Sequence, residues 1–347
     1  FFVQDIKCIP TGLLPNLSHL QCLRLDDCIN VDIPTGELVS LRQLEMLGVN
    51  FSDLHKFNSY VNSQHWQRLS HYRLQIGDQC CYDSLLYCRQ VYIEHFNLNG
   101  EEEQDEGIVL PTNMQELEII NGCLPMSLSD LSPSLKNNAS SDLERCRIFD
   151  CKGIEHLWSF TTTTSPVPQN LKTLVLRSLP NLTSLFKFKG VGTEGGPPLP
   201  PSESRIFSNL KLLSVSYCRN LKYLFTPCLV KHHFQNLQLI NVFNCPELEH
   251  IILDDEEEDE EDKGNSIITF LKLKIFQLTI VPKLKSICTR TKAMVCPRLQ
   301  KIHVYRCPML KRLPLSTMHM DDNEQRSQAW STALKKINGE DEWWDLL

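Results

Sequence analysis

The chain has 347 residues, 41 % hydrophobic and 22 % charged, a balance that excludes global disorder and suits two ordinary domains or one elongated repeat array. Its 35 Lys and Arg against 42 Asp and Glu give a formal charge of −7. The excess sits in two tufts, the nine consecutive acids Asp254 to Asp262 and five more between Glu101 and Glu106, so the body is mildly basic and a dedicated nucleic-acid binder is disfavoured. Fifteen cysteines, an odd number with no CxxC pair, read as a reduced intracellular protein rather than a disulfide scaffold or zinc ribbon. No apolar run approaches the roughly 18 residues that span a bilayer. The start, Phe1 to Asp5, carries neither an initiator Met nor a signal pattern and reads as a cut inside a longer protein.

Taken in chain order, short apolar pairs of period two recur: Leu23/Leu25, Leu47/Val49, Tyr72/Leu74, Val91/Ile93, Leu117/Ile119, Cys146/Ile148, Leu174/Leu176, Leu213/Val215, Ile240/Val242, Phe276/Leu278 and Ile302/Val304. Three of these sit in segments with one shared register, LxxLxLxxCxxL, beginning at Leu210, Leu237 and Leu299. Most spacings fall in the leucine-rich-repeat range of about 20–29 residues. The fold expected is an α/β solenoid, a leucine-rich-repeat horseshoe of about eleven irregular repeats with a concave parallel β-sheet.

The physics of such a coil accounts for the pattern. Both members of an LxL pair point inward from a short strand while the residue between points out. One coil cannot enclose a core, whereas stacked coils share one. Cys28, Cys151, Cys218, Cys245 and Cys307 follow the strand, where a small side chain can turn inward and donate to neighbouring carbonyls. They read as buried, inert thiols, too far apart in sequence to converge on a metal. Cys80-Cys81 reads as structural or exposed.

The array is expected over residues 1–315, with inserted loops near 100–108, 189–205 and 254–266. The second loop is Gly- and Pro-rich and the third carries the acidic run. Residues 316–347 read as a tail and cap, with Trp343 and Trp344 large enough to cover the last coil.

Catalytic signatures are missing. The sequence has no GxxxxGK[ST], GxSxG, HExxH or strand-borne GxGxxG, and its histidines sit in no spacing that pairs with a nucleophile. The expectation is a non-enzyme with no catalytic, cofactor or metal residues. Sequons at Asn16, Asn50, Asn138 and Asn181 would suit an extracellular protein, but the unpaired cysteines point the other way.

The phrase FxNLxxLxVxxCxxLxxL at Phe207–Leu224 and Phe234–Ile251 resembles the C-terminal repeats of plant nucleotide-binding leucine-rich-repeat immune receptors of the coiled-coil class. Cys245-Pro246-Glu247-Leu248, Cys307-Pro308-Met309-Leu310, the acidic insertion before Phe270–Ile287 and the ending from Ile337 to Trp344 are similar to the same family. The resemblance implies a protein-recognition and autoinhibitory domain that senses a pathogen effector or a monitored host protein. It implies ADP or ATP in a module upstream and none in this segment, and a cytoplasmic location that includes the inner face of the plasma membrane. The partners implied are proteins, the parent's own nucleotide-binding module among them. The alternative is the substrate-recognition repeat domain of an F-box-type ubiquitin ligase receptor. Those usually continue CxxITDxG after the strand, where this chain has CRNLKYL, CPELEHI and CPMLKRL.

Recognition by such an array falls to the outward strand positions, which can vary without disturbing the core. The candidates are Arg24, Asp26, Arg73, Tyr92, Glu118, Arg147, Phe149, Arg177, Asn241, Phe243, His303 and Tyr305, with Gln75 and Glu94 also outward. Among them Phe149, Phe243 and Tyr305 stand out, because apolar rings on an outward face need an explanation.

Overall fold

A computed structural model describes residues 8–25, 31, 33–77, 88–95, 107–132, 135, 142–161, 169–189, 207–253, 267–289, 293–311, 313–316 and 334–339. Both acidic tufts, the Gly/Pro-rich loop, Asp26, Cys28, the Cys80-Cys81 pair, Trp343 and Trp344 lie outside the described residues. The chain forms two compact units, Phe1–Gly153 and Ile154–Leu347.

In the first unit, β1 (Cys22–Arg24), β2 (Met46–Phe51), β3 (His71–Ile76), β4 (Arg89–Glu94), β5 (Glu116–Ile120) and β6 (Arg145–Phe149) lie side by side in chain order, all parallel. The six LxL-type pairs read from the sequence sit on these strands, except that Leu25 lies one residue past the end of β1. One register step differs from a uniform stack: Leu74 and Ile76, rather than Tyr72 and Leu74, lie beside Val91 and Ile93. The slip is two residues, so every side chain keeps its face and the inward assignments stand.

The connections in this unit include two helices, α1 (Thr35–Leu38) and α2 (Leu54–Asn62). Asp53 caps α2, its carboxylate accepting from the Lys56 N–H at 2.8 Å. Phe57, Tyr60 and Val61, spaced i, i+3 and i+4, form the buried stripe of α2, and Phe51 from β2 packs edge-on to Phe57 at 5.6 Å. His65 is buried between the Tyr60 hydroxyl at 3.0 Å and the Leu41 carbonyl at 3.2 Å. Burial holds the imidazole below its usual pKa.

The second unit is built more regularly. Its principal strands are β8 (Thr173–Arg177), β10 (Leu212–Ser216), β12 (Leu239–Phe243), β15 (Ile275–Thr279), β18 (Lys301–Tyr305) and β20 (Lys336–Asn338). Between them run shorter strands that stack into their own ladders: β7 (His156–Thr161) with β9 (Ser184–Lys189); β11 (Tyr223–Phe225), β13 (His250–Ile252) and β16 (Ser286–Cys288); β14 (Ile267–Thr269), β17 (Ala293–Val295) and β19 (Leu315–Ser316). One short helix, α3 (Pro227–His233), lies among these returns. Repeats here return mainly as extended chain, where the first unit uses helix.

The core of this unit is a set of columns. Leu174, Leu213, Ile240, Phe276, Ile302 and Ile337 align across the principal strands, as do Leu176, Val215, Val242, Leu278 and Val304. The leading Phe of the repeat phrase forms a buried aromatic spine: Phe207 stacks on Phe234 at 5.8 Å, and Phe225 meets Phe234 at 4.8 Å. The Asn of the phrase ties neighbouring coils, Asn209 Nδ2 donating to the Gln169 carbonyl at 3.1 Å and Asn236 to that of Ser208.

Within 316–347, read from the sequence as a tail and cap, Lys336–Asn338 adds a strand beside β18 with Ile337 level with Ile302. The strand itself was not foreseen, because β20 offers a single inward residue, Ile337, and so no LxL pair to find.

Eight of the strands, β4, β5, β6, β8, β10, β12, β15 and β18, end in the same device. The next residue, His95, Asn121, Asp150, Ser178, Tyr217, Asn244, Ile280 or Arg306, adopts a left-handed conformation with φ between 51° and 57°. In the second unit its N–H then donates to the last carbonyl of the following strand: Ser178 to Ser216, Tyr217 to Phe243, Asn244 to Thr279 and Ile280 to Tyr305, at 2.8–2.9 Å. That carbonyl also accepts from its own repeat's thiol where a Cys follows, Cys218 to Ser216 at 3.5 Å, Cys245 to Phe243 at 3.6 Å and Cys307 to Tyr305 at 3.5 Å. In the first unit Cys151 donates likewise to Phe149 at 3.1 Å, and Asn121 N–H fills the other lone pair at 3.0 Å. The donor role expected of these cysteines is what the geometry shows, and it satisfies buried backbone that would otherwise be costly.

Burial pushes the Cys151 thiol up to about 11 and those of Cys146 and Cys296 up to about 12, so all three are protonated and unreactive at neutral pH. The thiols are not all remote from each other. A repeat in sequence is one strand spacing in space, about 4.8 Å, and Cys218 and Cys245 interact side chain to side chain. No three His, Cys, Asp or Glu converge in a metal-binding arrangement among the described residues.

Candidate protein-recognition face

Outward strand positions in the two units have different surroundings. In the first unit they are largely buried and polar. Arg73 and Tyr92, expected on an open face, are only 3 % and 4 % exposed. Arg73 Nε donates to Gln90 Oε1 at 2.9 Å on the neighbouring strand. The correction has a local cause: Arg73 lies beside Gly48 on one side and Gln90 on the other, so its side chain lies within the sheet's polar layer.

Further along that layer stand two carboxylates and two guanidinium groups. Glu116, itself buried, accepts from Arg145 at 3.1 Å and from Arg147 at 2.8 Å, and Arg147 reaches Glu118 at 3.2 Å. The Cys88 thiol donates to Glu116 at 3.4 Å, and burial, with the Glu116 charge second, raises its pKa. Glu118 and Arg147 are thus each other's partners before any ligand arrives. Phe149 and Arg24 are half-buried, and Asp26 lies outside the described residues. Asn50, the site of a sequon, is 4 % exposed with Nδ2 donating to the Gly77 carbonyl at 2.9 Å, so it offers no room for a glycan.

The second unit presents an open face in three rows that cross its strands. The first is aliphatic: Leu212, Leu239 and Ile275 are neighbours in register, all half-buried. The second is polar, with Ser214, Asn241, Gln277 and His303 in register and Asn241 Nδ2 donating to Ser214 Oγ at 3.0 Å. His303 is held below its usual pKa by desolvation first and then by Lys301 and Lys336.

The third row is aromatic and cationic. The Arg177 guanidinium lies over the Tyr217 ring at 5.5 Å, and Tyr217 meets Phe243 edge-on at 5.2 Å. At the far side Arg306 lies 5.2 Å from the Tyr305 ring, which stacks with His303 at 6.3 Å. Tyr217 is 39 % and Tyr305 38 % exposed. Arg177, Asn241, Phe243, His303 and Tyr305 are therefore brought onto one face as the alternation required.

Sequence reasoning missed Tyr217 and Arg306, because each lies one residue beyond its strand. The signal was available. The residue before each repeat Cys occupies the left-handed position and pitches its side chain onto the outward face, so it belongs with the variable positions. Also missed was the aliphatic row, three outward apolar residues directly preceding the LxL pair in successive repeats.

No Asp or Glu occupies an outward position of these six strands, whereas Arg177, Lys301 and Lys336 do. The face carries an aliphatic row and an aromatic row on either side of a polar one, with its cations on β8, β18 and β20. Rings and arginines of this kind dominate protein-recognition patches.

Comparison with known proteins agrees with this architecture. Residues 198–321 match the family model described as plant disease resistance protein RPS2-like, leucine-rich repeats. The chain is 24 % identical to the disease resistance protein At4g27190 of Arabidopsis thaliana over 368 aligned positions, which take in 99 % of this chain and 32 % of that protein. It is 34 % identical to the probable disease resistance protein At4g27220 of the same plant over 30 % of this chain and 11 % of the relative. A third match, at 31 %, is the putative disease resistance protein At4g10780, over 33 % of this chain and 13 % of the relative. The chain spans about a third of the length of At4g27190 and smaller shares of the others. The chain is a leucine-rich-repeat region of the kind carried by plant disease resistance proteins.

Proposed function

We propose that this chain is the recognition region of an intracellular plant immune receptor and contributes to disease resistance by binding protein. Its open face would read a pathogen effector or a monitored host protein and, without that ligand, hold the receptor's own nucleotide-binding module inactive. The observation that carries the reading is the exposed Arg177–Tyr217–Phe243 and Tyr305–Arg306 clusters over fixed core columns. A partner for that face presents apolar side chains rimmed by carboxylates, since the face itself carries cations and no acid. ADP or ATP is assigned to a module beyond these repeats. No helix among the described residues is long and apolar enough to cross a membrane, and a cytoplasmic location suits the unpaired cysteines.

A ligand shifts such a receptor only by preferring the released state. Moving the populations from 1:99 to 99:1 requires a preference of about 10⁴-fold. The test is a receptor carrying Phe243→Ala with Tyr305→Ala, expressed in leaf tissue at wild-type abundance. Loss of restraint should appear as cell death without a pathogen, and loss of ligand reading as a missing defence response. Wild-type behaviour in both assays would refute the assignment of this face.

A further inference from the structure

The first unit holds a cavity of about 150 Å³ at the C-terminal ends of β2, β3 and β4, lined by Asn50, Phe51, Ser52, Ile76, Gly77, Glu94 and His95. Its polar walls are deeply buried: Glu94 is 2 % and Asn50 4 % exposed. Glu94 Oε2 and Asn50 Oδ1 are both without a hydrogen-bond partner among the described residues. Gln75, level with Asn50 in the sheet and 1 % exposed, leaves both amide atoms unpartnered as well. Ser52 and His95 at the rim are exposed, so the cavity is reachable from solvent.

Its shape depends on Gly77. A Cβ there would approach Glu94 Cβ to 2.7 Å, and the residue sits at φ +140°, a conformation that side chains resist. The missing side chain leaves the space that Glu94 borders. Burying unpaired acceptors, one belonging to a carboxylate, is costly and calls for a partner. His95 Nε2 approaches the other oxygen, Oε1, at 3.5 Å and is itself half exposed. The Lys56 ammonium is held by Ser52 Oγ at 3.1 Å and Asp53 at 3.8 Å.

We propose that this cavity is a binding site for a guanidinium group, donated to Glu94 Oε2 and Asn50 Oδ1. Both orphan atoms that line it are acceptors, so the occupant must donate more than once. One of them carries negative charge, so the occupant is a cation. The space is that of about five waters in the liquid, enough for a planar cationic head and too small for a nucleotide. A guanidinium group is the more weakly hydrated of the biological organic cations, and its fork matches paired acceptors. The site lies in the first unit, and its existence does not depend on the recognition face of the second.

The probe is methylguanidinium, titrated calorimetrically into the full chain well below denaturing concentrations, with urea, methylammonium and matched NaCl as controls. A second arm uses N-acetyl-arginine-N-methylamide. Saturable binding of methylguanidinium that weakens about tenfold or more in Glu94→Gln is the expected result. Glu94→Gln keeps the shape and removes a buried charge, so the unliganded variant should match or exceed the wild-type Tm. Asn50→Ser is the second variant and should weaken binding by a smaller factor.

If the blocked arginine binds too, the site accepts an arginine side chain of a protein. If only methylguanidinium binds, the ligand is a free small guanidine. No saturable heat, an equal response to urea, methylammonium or NaCl, or unchanged affinity in Glu94→Gln would each overturn the assignment.

Discussion

The two units follow one period-two rule and spend their outward positions differently. In the first, most outward side chains satisfy each other, Arg73 with Gln90, and Glu116 and Glu118 with Arg145 and Arg147, the exceptions being Asn50, Gln75 and Glu94 at the polar cavity. In the second, the same positions carry aliphatic and aromatic groups whose contacts leave Tyr217 and Tyr305 well exposed. A layer of paired charges gains little from a new partner, because each ion would have to surrender a contact it already has. An exposed ring flanked by arginine has apolar area still to bury. The difference separates a self-contained polar layer from a surface available for recognition.

The largest effect that could break this contrast lies beneath the second face. Phe234 touches Phe186, Phe207 and Phe225 in the buried spine. Phe234→Ala should cost about 3–5 kcal/mol, the range for a buried aromatic truncated to Ala. Hydrogen exchange of β10, β12 and β15 measures it locally, which matters where two units need not unfold as one. A loss below about 1 kcal/mol would mean that the spine is not what supports the face.

The sequence carried the eleven LxL pairs because burial on one side of a strand imposes a two-residue period that survives irregular spacing. It carried the Cys role because that thiol meets the same carbonyl in repeat after repeat. Arg73 and Tyr92 were placed on the correct side of their strands yet turned out buried, since alternation fixes direction and says nothing about what lies above. The polar cavity was equally invisible: Asn50, Gly77 and Glu94 come from three repeats, and only the register brings them together. Tyr217 and Arg306 could have been found from the left-handed residue before each Cys.

A middle-sized effect sharpens the contrast from the other side. Glu116 is a carboxylate held by two guanidinium groups and a thiol in the polar layer. Glu116→Gln keeps the shape, removes the charge and leaves Arg145 and Arg147 facing each other with less compensation. The expected cost is about 2 kcal/mol, below the 3–5 kcal/mol of a fully buried pair because both arginines are about a third exposed to solvent. Urea unfolding followed by a probe in the first unit checks this. No loss would show the network to be ornamental, and the first face would then be as open to partners as the second.

The smallest effect concerns the left-handed residue that follows eight of the strands. Seven repeats place His, Asn, Asp, Ser, Tyr or Arg there, while the repeat at β15 places Ile280, with φ 56°. Branching at Cβ makes this the least suitable type for the position, and the conformation costs a non-glycine residue roughly 1–2 kcal/mol. Asn244, one repeat earlier, occupies the same position with a side chain that tolerates it. Ile280→Asn should therefore stabilise the second unit by about 0.5–1 kcal/mol, part of the relieved strain being offset by lost apolar contact of a half-buried side chain. Such strain persists where something else is served by it, and Ile280 lies in line with Tyr217 and Arg306 at the edge of the open face. A variant that gains stability and loses partner binding would place Ile280 within the recognition surface. One that gains stability and binds as before would confine that surface to the rings and arginines on either side.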